Sequence, residues 1–222
     1  MYPLKRLTIL CGHYGSGKTN VAVNVATELR KSCDTVAVAD LDIVNPYFRT
    51  KDSAAYFEQQ GIRLICSAYA NSNVDIPALP QEMYALTDDR SMTAVLDIGG
   101  DDRGALVLGR LAPKILAEGD YEMLMVVNRY RPLTRDAAST LEVMAEIELA
   151  GGIRFTGIVN NSNLGEQTTP EDILASHAYA EEIARLSGLP VVMTSVRADL
   201  APAVEGKMPC VFPLALQKNK FL

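Results

Sequence analysis

The sequence predicts an α/β fold, a three-layer, mainly parallel doubly wound sheet, and three observations predict it. Short β-branched apolar runs alternate with longer helical patterns along the chain. Most of those runs are continuously apolar, as strands covered on both faces are. A glycine-rich turn separates the first run from the first helical stretch, at the strand end where such sheets bind ligands. Alternating strands and helices imply right-handed crossovers, and these give parallel neighbours.

The elements follow in order. Residues 6–12 (RLTILCG) read as the first strand and 18–31 (KTNVAVNVATELRK) as the helix after the glycine turn. A second strand spans 35–42 (TVAVADLD), a short helix 53–60 (SAAYFEQQ) and a third strand 62–68 (IRLICSA). Residues 67–81 (SAYANSNVDIPALPQ) are polar and punctuated by proline, so they read as a long loop, which in a compact domain is often functional. Strands at 92–100, 122–128, 155–161 and 190–196 then alternate with helices at 105–119, 132–151 and 170–188. Pro170 followed by Glu171 and Asp172 suits a helix start, and Gly188 suits its C-cap. No repeat, linker or low-complexity stretch interrupts the pattern, so 1–222 reads as one domain.

Composition narrows the function. The 222 residues are 48% hydrophobic and 22% charged, a globular balance. A net charge of −6 argues against a nucleic-acid partner, which needs a clustered basic face. It leaves room for a small anion in a local pocket. No apolar run approaches the roughly 18 residues of a membrane span, and the closing QKNKFL is too short for an amphipathic anchor. The basic, then apolar, amino terminus leads into the glycine turn rather than a cleavage site, so a cytoplasmic location is expected. Cys11, Cys33, Cys66 and Cys210 form no metal-type spacing, and the first three read as small buried apolar residues.

The chemistry is concentrated in Gly12-His13-Tyr14-Gly15-Ser16-Gly17-Lys18-Thr19, which satisfies GxxxxGK[ST]. Glycines let successive backbone N–H groups turn inward on phosphate oxygens, and the following helix adds its dipole. Lys18 would reach the β- and γ-phosphates, and the Thr19 hydroxyl would ligate Mg²⁺. Asp40 and Asp42 close the second strand and Asp97 the fourth, so all three should face the same crevice. Carboxylates there can hold Mg²⁺ through its waters or orient an attacking water.

The order GxxxxGKT, DLDxxNP, DIGG and GIVNN resembles the deviant-Walker-A ATPases of the MinD/ParA/CooC type, within the SIMIBI class of P-loop proteins. That resemblance implies a SIMIBI-type topology, ATP or ADP with Mg²⁺, and a nucleotide-dependent switch acting on a protein partner, with a homodimer as one arrangement. It implies Mg²⁺ service by Thr19, Asp40 and Asp97, and catalysis by Lys18 with Asp42 positioning the water. Around the nucleotide it places the loop residues 12–19, Asn20, Asn45 of DIVNPYF, and Asn161 as the asparagine that reads adenine. Val196 and Arg197 lie among the first residues of a stretch, 195–209 (SVRADLAPAVEGKMP), that resembles the one bordering the base. His13 stands where the family carries a signature lysine that reaches the partner subunit's nucleotide. Arg49, Arg103 and Arg129 are candidates to supply that charge. The loop also looks like that of nickel-insertion GTPases, but Asn160-Asn161-Ser162-Asn163 lacks the lysine and aspartate of NKxD, which favours adenine. A synthetase that activates a small carboxylate, with residues 67–81 shaping its pocket, and a binder with negligible turnover are the other readings.

Overall fold

A computed structural model of the chain describes residues 2–42, 53–66, 81–100 and 102–216. Its strands are β1 (Leu7–Cys11), β2 (Val36–Leu41), β3 (Arg63–Cys66), β4 (Thr93–Ile98), β5 (Tyr121–Val127), β6 (Gly157–Asn160), β7 (Val191–Arg197) and β8 (Val211–Leu214). They form an eight-stranded sheet in the order β3-β2-β4-β1-β5-β6-β7-β8, and every neighbouring pair is parallel. The helices are α1 (Lys18–Leu29), α2 (Ala54–Gln60), α3 (Gln81–Asp88), α4 (Asp102–Glu118), α5 (Ala137–Gly151), α6 (Pro170–Ser187) and the short α7 (Ala201–Val204).

Burial explains the continuous apolar runs. Successive residues of β1 serve opposite cores, Leu7 and Ile9 in one and Leu10 in the other. The first core adds Leu108 and Leu111 of α4, Met144 of α5 and Ile183 of α6. The second adds Val21 and Val25 of α1 and Phe57 of α2. Each fully buried side chain of this size contributes about 1.5–3 kcal/mol, so neither face of β1 tolerates a polar residue without a partner. Helices on both faces make the three layers.

The chain changes direction at β1. Strands β2, β3 and β4 lie on one side of it and β5 to β8 on the other. The carboxyl end of β1 is therefore a topological switch point, where open α/β sheets bind ligands.

Several elements depart from the sequence reading. The expected helix over 132–151 is divided into a 3-10 turn at Pro132–Thr134 and α5, because Asp136 caps α5 by accepting from the Ser139 N–H. Helix α4 begins at Asp102, ahead of the expected 105, and continues through Pro113. The sequence reading holds neither α3 nor β8. Pro213 argues against a strand on sequence grounds, yet β8 is an edge strand and can lack one N–H. Cys66 is exposed rather than buried, since β3 is the opposite edge. Cys33 is half-buried. Cys11 is buried, and burial pushes its thiol far above the ordinary range, which keeps it an inert apolar side chain. No helix among the described residues is long and apolar enough to cross a membrane.

Candidate functional site

The loop leaving β1 has the backbone its glycines allow. Gly12, Gly15 and Gly17 have φ of 149°, 77° and 89°. Gly17 has a second constraint, since a Cβ there would lie 2.2 Å from Asn161 Nδ2. The loop is closed by the Ser16 N–H donating to His13 O at 3.1 Å. Helix α1 then starts at Lys18 with no side-chain cap and no acid in its first turn, so its positive end is open to an anion. Lys18 is buried, and its ammonium donates to His13 O at 3.3 Å. Tyr14 is exposed and the His13 ring lies 3.0 Å from Tyr14 O. Gly100, just past β4, touches this loop from the other side. A Cβ there would meet Tyr14 N at 2.5 Å, so a bare glycine is what lets the two segments meet.

The acidic strand ends converge beside it. Asp40 of β2 and Asp97 of β4 are register partners, and Asp97 also pairs with Leu10 of β1. The Thr19 hydroxyl donates to Asp97 Oδ2 at 2.7 Å. The Asp42 N–H donates to Asp40 Oδ1 at 3.2 Å, and all three aspartates are buried. Among the described residues no three His, Cys, Asp or Glu side chains gather as a metal cage. Hard oxygen donors from one hydroxyl and one or two carboxylates, completed by water and phosphate, are nevertheless the usual set for Mg²⁺. Asn45, Arg49 and residues 67–80 lie outside the described residues, as does the side chain of Arg103 in α4.

A second region opens from the loop toward β6 and β7. A shallow hollow is lined by Asn161, Asn163, Ser195, Val196 and Arg197, among others. This brings Asn161, Val196 and Arg197 to one place. Asn161 is buried and its amide is engaged at both ends, Nδ2 donating to Ser16 O and Oδ1 accepting from Ser195 Oγ, each at 2.6 Å. It therefore braces the glycine loop against the wall of the hollow. Arg197 donates to Asp199 through two nitrogens and to Glu166 O through a third. The same bonds hold the Asp199 carboxyl below its usual range. Asn20 lies in the first turn of α1, half-buried, with its carbonyl accepting from Asn24.

One contributor, Arg131, escaped the sequence reading. Gly100 of DIGG and Ser195, first of the 195–209 stretch, lay inside motifs that gave them no separate role. Arg131 donates from Nε to Gly15 O at 2.9 Å, whereas the candidate Arg129 turns away to Ala175 O on α6. The signal for Arg131 was Pro132, which holds the preceding residue extended, here at φ −108° and ψ 138°.

Solved structures of similar shape fit this architecture. The cell division protein FtsY from Thermotoga maritima superposes with a TM-score of 0.57 at 18% identity, over 87% of this chain and 62% of that one. Chloroplast FtsY from Physcomitrella patens gives 0.57 at 15% identity, over 87% and 58%. The chain has the fold of a SIMIBI-class P-loop protein. The signal recognition particle 54 kDa protein from Aeropyrum pernix, in complex with GDP, gives 0.51 at 14% identity, over 87% and 41%. The chain spans less than two thirds of the length of each of these structures. They are not of the MinD/ParA/CooC type that the motif order resembles, and at these identities the likeness is one of fold. No protein-family model and no curated protein sequence matches the chain.

Proposed function

We propose that this chain binds Mg-ATP and hydrolyses it slowly, as a nucleotide-dependent switch for a protein partner. The observation that carries this reading is the glycine loop at the switch point of the sheet, with the Thr19 hydroxyl already bonded to Asp97. Inward N–H groups, the open end of α1 and Lys18 suit a chain of phosphates. Thr19 and Asp97 would hold Mg²⁺, with Asp40 holding its waters. Bound there, the ion would neutralise charge on the phosphates.

Adenine is the base we favour. Reading guanine needs a carboxylate to accept from its N–H edge, and no Asp or Glu lines the hollow among the described residues. The Aeropyrum structure holds GDP, so GTP is the competitor to test. Asp42, buried at the end of β2, is the residue we assign to the attacking water. Slow unstimulated turnover follows from His13 in place of a charged lysine, and a partner should accelerate it.

The test is ATP affinity by calorimetry beside ATP turnover. Lys18→Ala should weaken ATP binding at least tenfold. Asp42→Asn should bind ATP within about threefold of the parent and lose turnover, because phosphoryl transfer depends on positioning and charge more than on covalent help. Unchanged affinity in a folded Lys18→Ala sample would sink the phosphate-loop reading. Parent-like turnover in Asp42→Asn would remove that residue's role alone.

A further inference from the structure

Resting on the nucleotide reading above, we propose that Arg131 is a phosphate-binding residue, a second cation fixed on the glycine loop beside Lys18. Its Nε donates to Gly15 O, and the guanidinium packs against Gly15, with Nε and Cζ at 3.4 and 3.6 Å from where a Cβ would stand. The two terminal nitrogens make no hydrogen bond among the described residues, and the side chain is exposed.

Several described arginines carry no ion pair, and Arg131 is set apart from them by its bond to the glycine loop. Arg6, Arg135 and Arg197 each pair with a carboxylate, and Arg129 donates to Ala175 O and lies over the Tyr130 ring. Arg131 pairs with no acid among the described residues. Its one side-chain hydrogen bond among them is to the Gly15 carbonyl of the glycine loop, three residues before Lys18, where α1 begins. A guanidinium fixed there keeps its terminal nitrogens open to an anion, to which charge-assisted hydrogen bonds are the stronger kind. A nucleoside di- or triphosphate is the anion the loop is shaped for.

The backbone leaves Arg131 little choice of position. Its N–H donates to Asn128 O, and its carbonyl accepts from the Thr134 N–H. The neighbouring N–H groups of Arg129 and Tyr130 donate to Ser162 Oγ and Asn128 Oδ1. Thr134 is pinned in turn, its hydroxyl donating to Asn128 O and its carbonyl accepting from Tyr179 OH. Burial pushes that Tyr179 phenol up to about 12, so it stays a donor throughout the working range. A turn bonded at so many points delivers its guanidinium in advance of the ligand, which is what an electrostatic contact requires.

The experiment compares the parent with Arg131→Ala, Arg131→Gln and Lys18→Ala, measuring ATP, GTP and inorganic triphosphate by calorimetry and folding by thermal melt. Arg131→Ala should weaken all three ligands about tenfold or more, without changing the ratio of ATP to GTP. Arg131→Gln keeps a donor for Gly15 O and loses the charge. It should fall with the alanine variant, whereas a mere brace would leave it like the parent. Both variants should melt with the parent, since the side chain is exposed. Binding within twofold of the parent in Arg131→Ala, or in Arg131→Gln alone, overturns the inference while loss of binding in Lys18→Ala keeps the nucleotide reading intact. A parent that binds none of the three ligands overturns both.

Discussion

Asn161 shows how one side chain can hold two halves of a site together. Its amide joins the Ser16 carbonyl of the glycine loop to the Ser195 hydroxyl of β7, and its own N–H donates to Val127 O at the end of β5. Removing the amide takes a donor from the buried Ser16 carbonyl and leaves the Ser195 hydroxyl only its longer bond to Asn160 O, which costs about 1–3 kcal/mol. Asn161→Ala should therefore lower stability in a urea melt by about that amount. It should also weaken ATP and GTP alike, because the loop that meets their phosphates loses its brace. An unchanged melt with an altered preference for ATP over GTP would make Asn161 a reader of the base instead. The motif could place this residue beside the loop, but a bond to Ser195 depends on β6 and β7 lying side by side, which no local spacing expresses.

Among the elements, β5 carries its unusual residue at the end away from the site. Glu122 is buried there, accepting from the Lys5 N–H and the Thr8 hydroxyl, each at 2.9 Å. Burial raises its carboxyl above the usual range despite those bonds and the nearby Lys5 charge. Its folded form thus favours the proton, so the stability tied to it is complete below the unfolded pKa of about 4.3 and is lost as pH rises through the folded pKa. Glu122→Gln retains an acceptor for both donors and removes the charge. Its stability should match the parent at pH 4 and exceed it at pH 8 in paired urea melts. Equal differences at the two pH values would show that the carboxylate bears no penalty in the fold. The strands themselves were largely legible, because a strand buried on both faces is mostly apolar, as β1, β2 and β5 are apart from Thr8, Asp40 and Glu122. Of the two edge strands, β3 was read within 62–68 and β8 was missed. β8 has an exposed proline and β3 an exposed cysteine, and an edge strand is under less pressure to look like a strand.

At the scale of the whole molecule, the two large cores share the strands of the sheet, and the proposed ligand would sit across its central strands. Everything it touches belongs to a different element: the loop after β1, the ends of β2 and β4, the turn after β5, and the hollow beside β6 and β7. A ligand bound there should stabilise the entire fold, by about 2.7 kcal/mol when present at 100 times its dissociation constant. For a chain of 150–250 residues each kcal/mol is worth roughly 2–4 °C, so Mg-ATP should raise the melting temperature by about 5–11 °C. Lys18→Ala, weakened at least tenfold, should cut the shift at the same concentration to about half or less, and Asp42→Asn should keep it, since that carboxylate is assigned to water rather than to nucleotide. GTP at equal concentration should give a smaller shift, because no Asp or Glu lines the hollow among the described residues. A GTP shift equal to or larger than that of ATP would reverse the choice of base while leaving the phosphate site in place. A parent protein whose melt is indifferent to both nucleotides would remove the site itself, and with it the reason the glycine loop, Thr19 and Asp97 come together at the switch point.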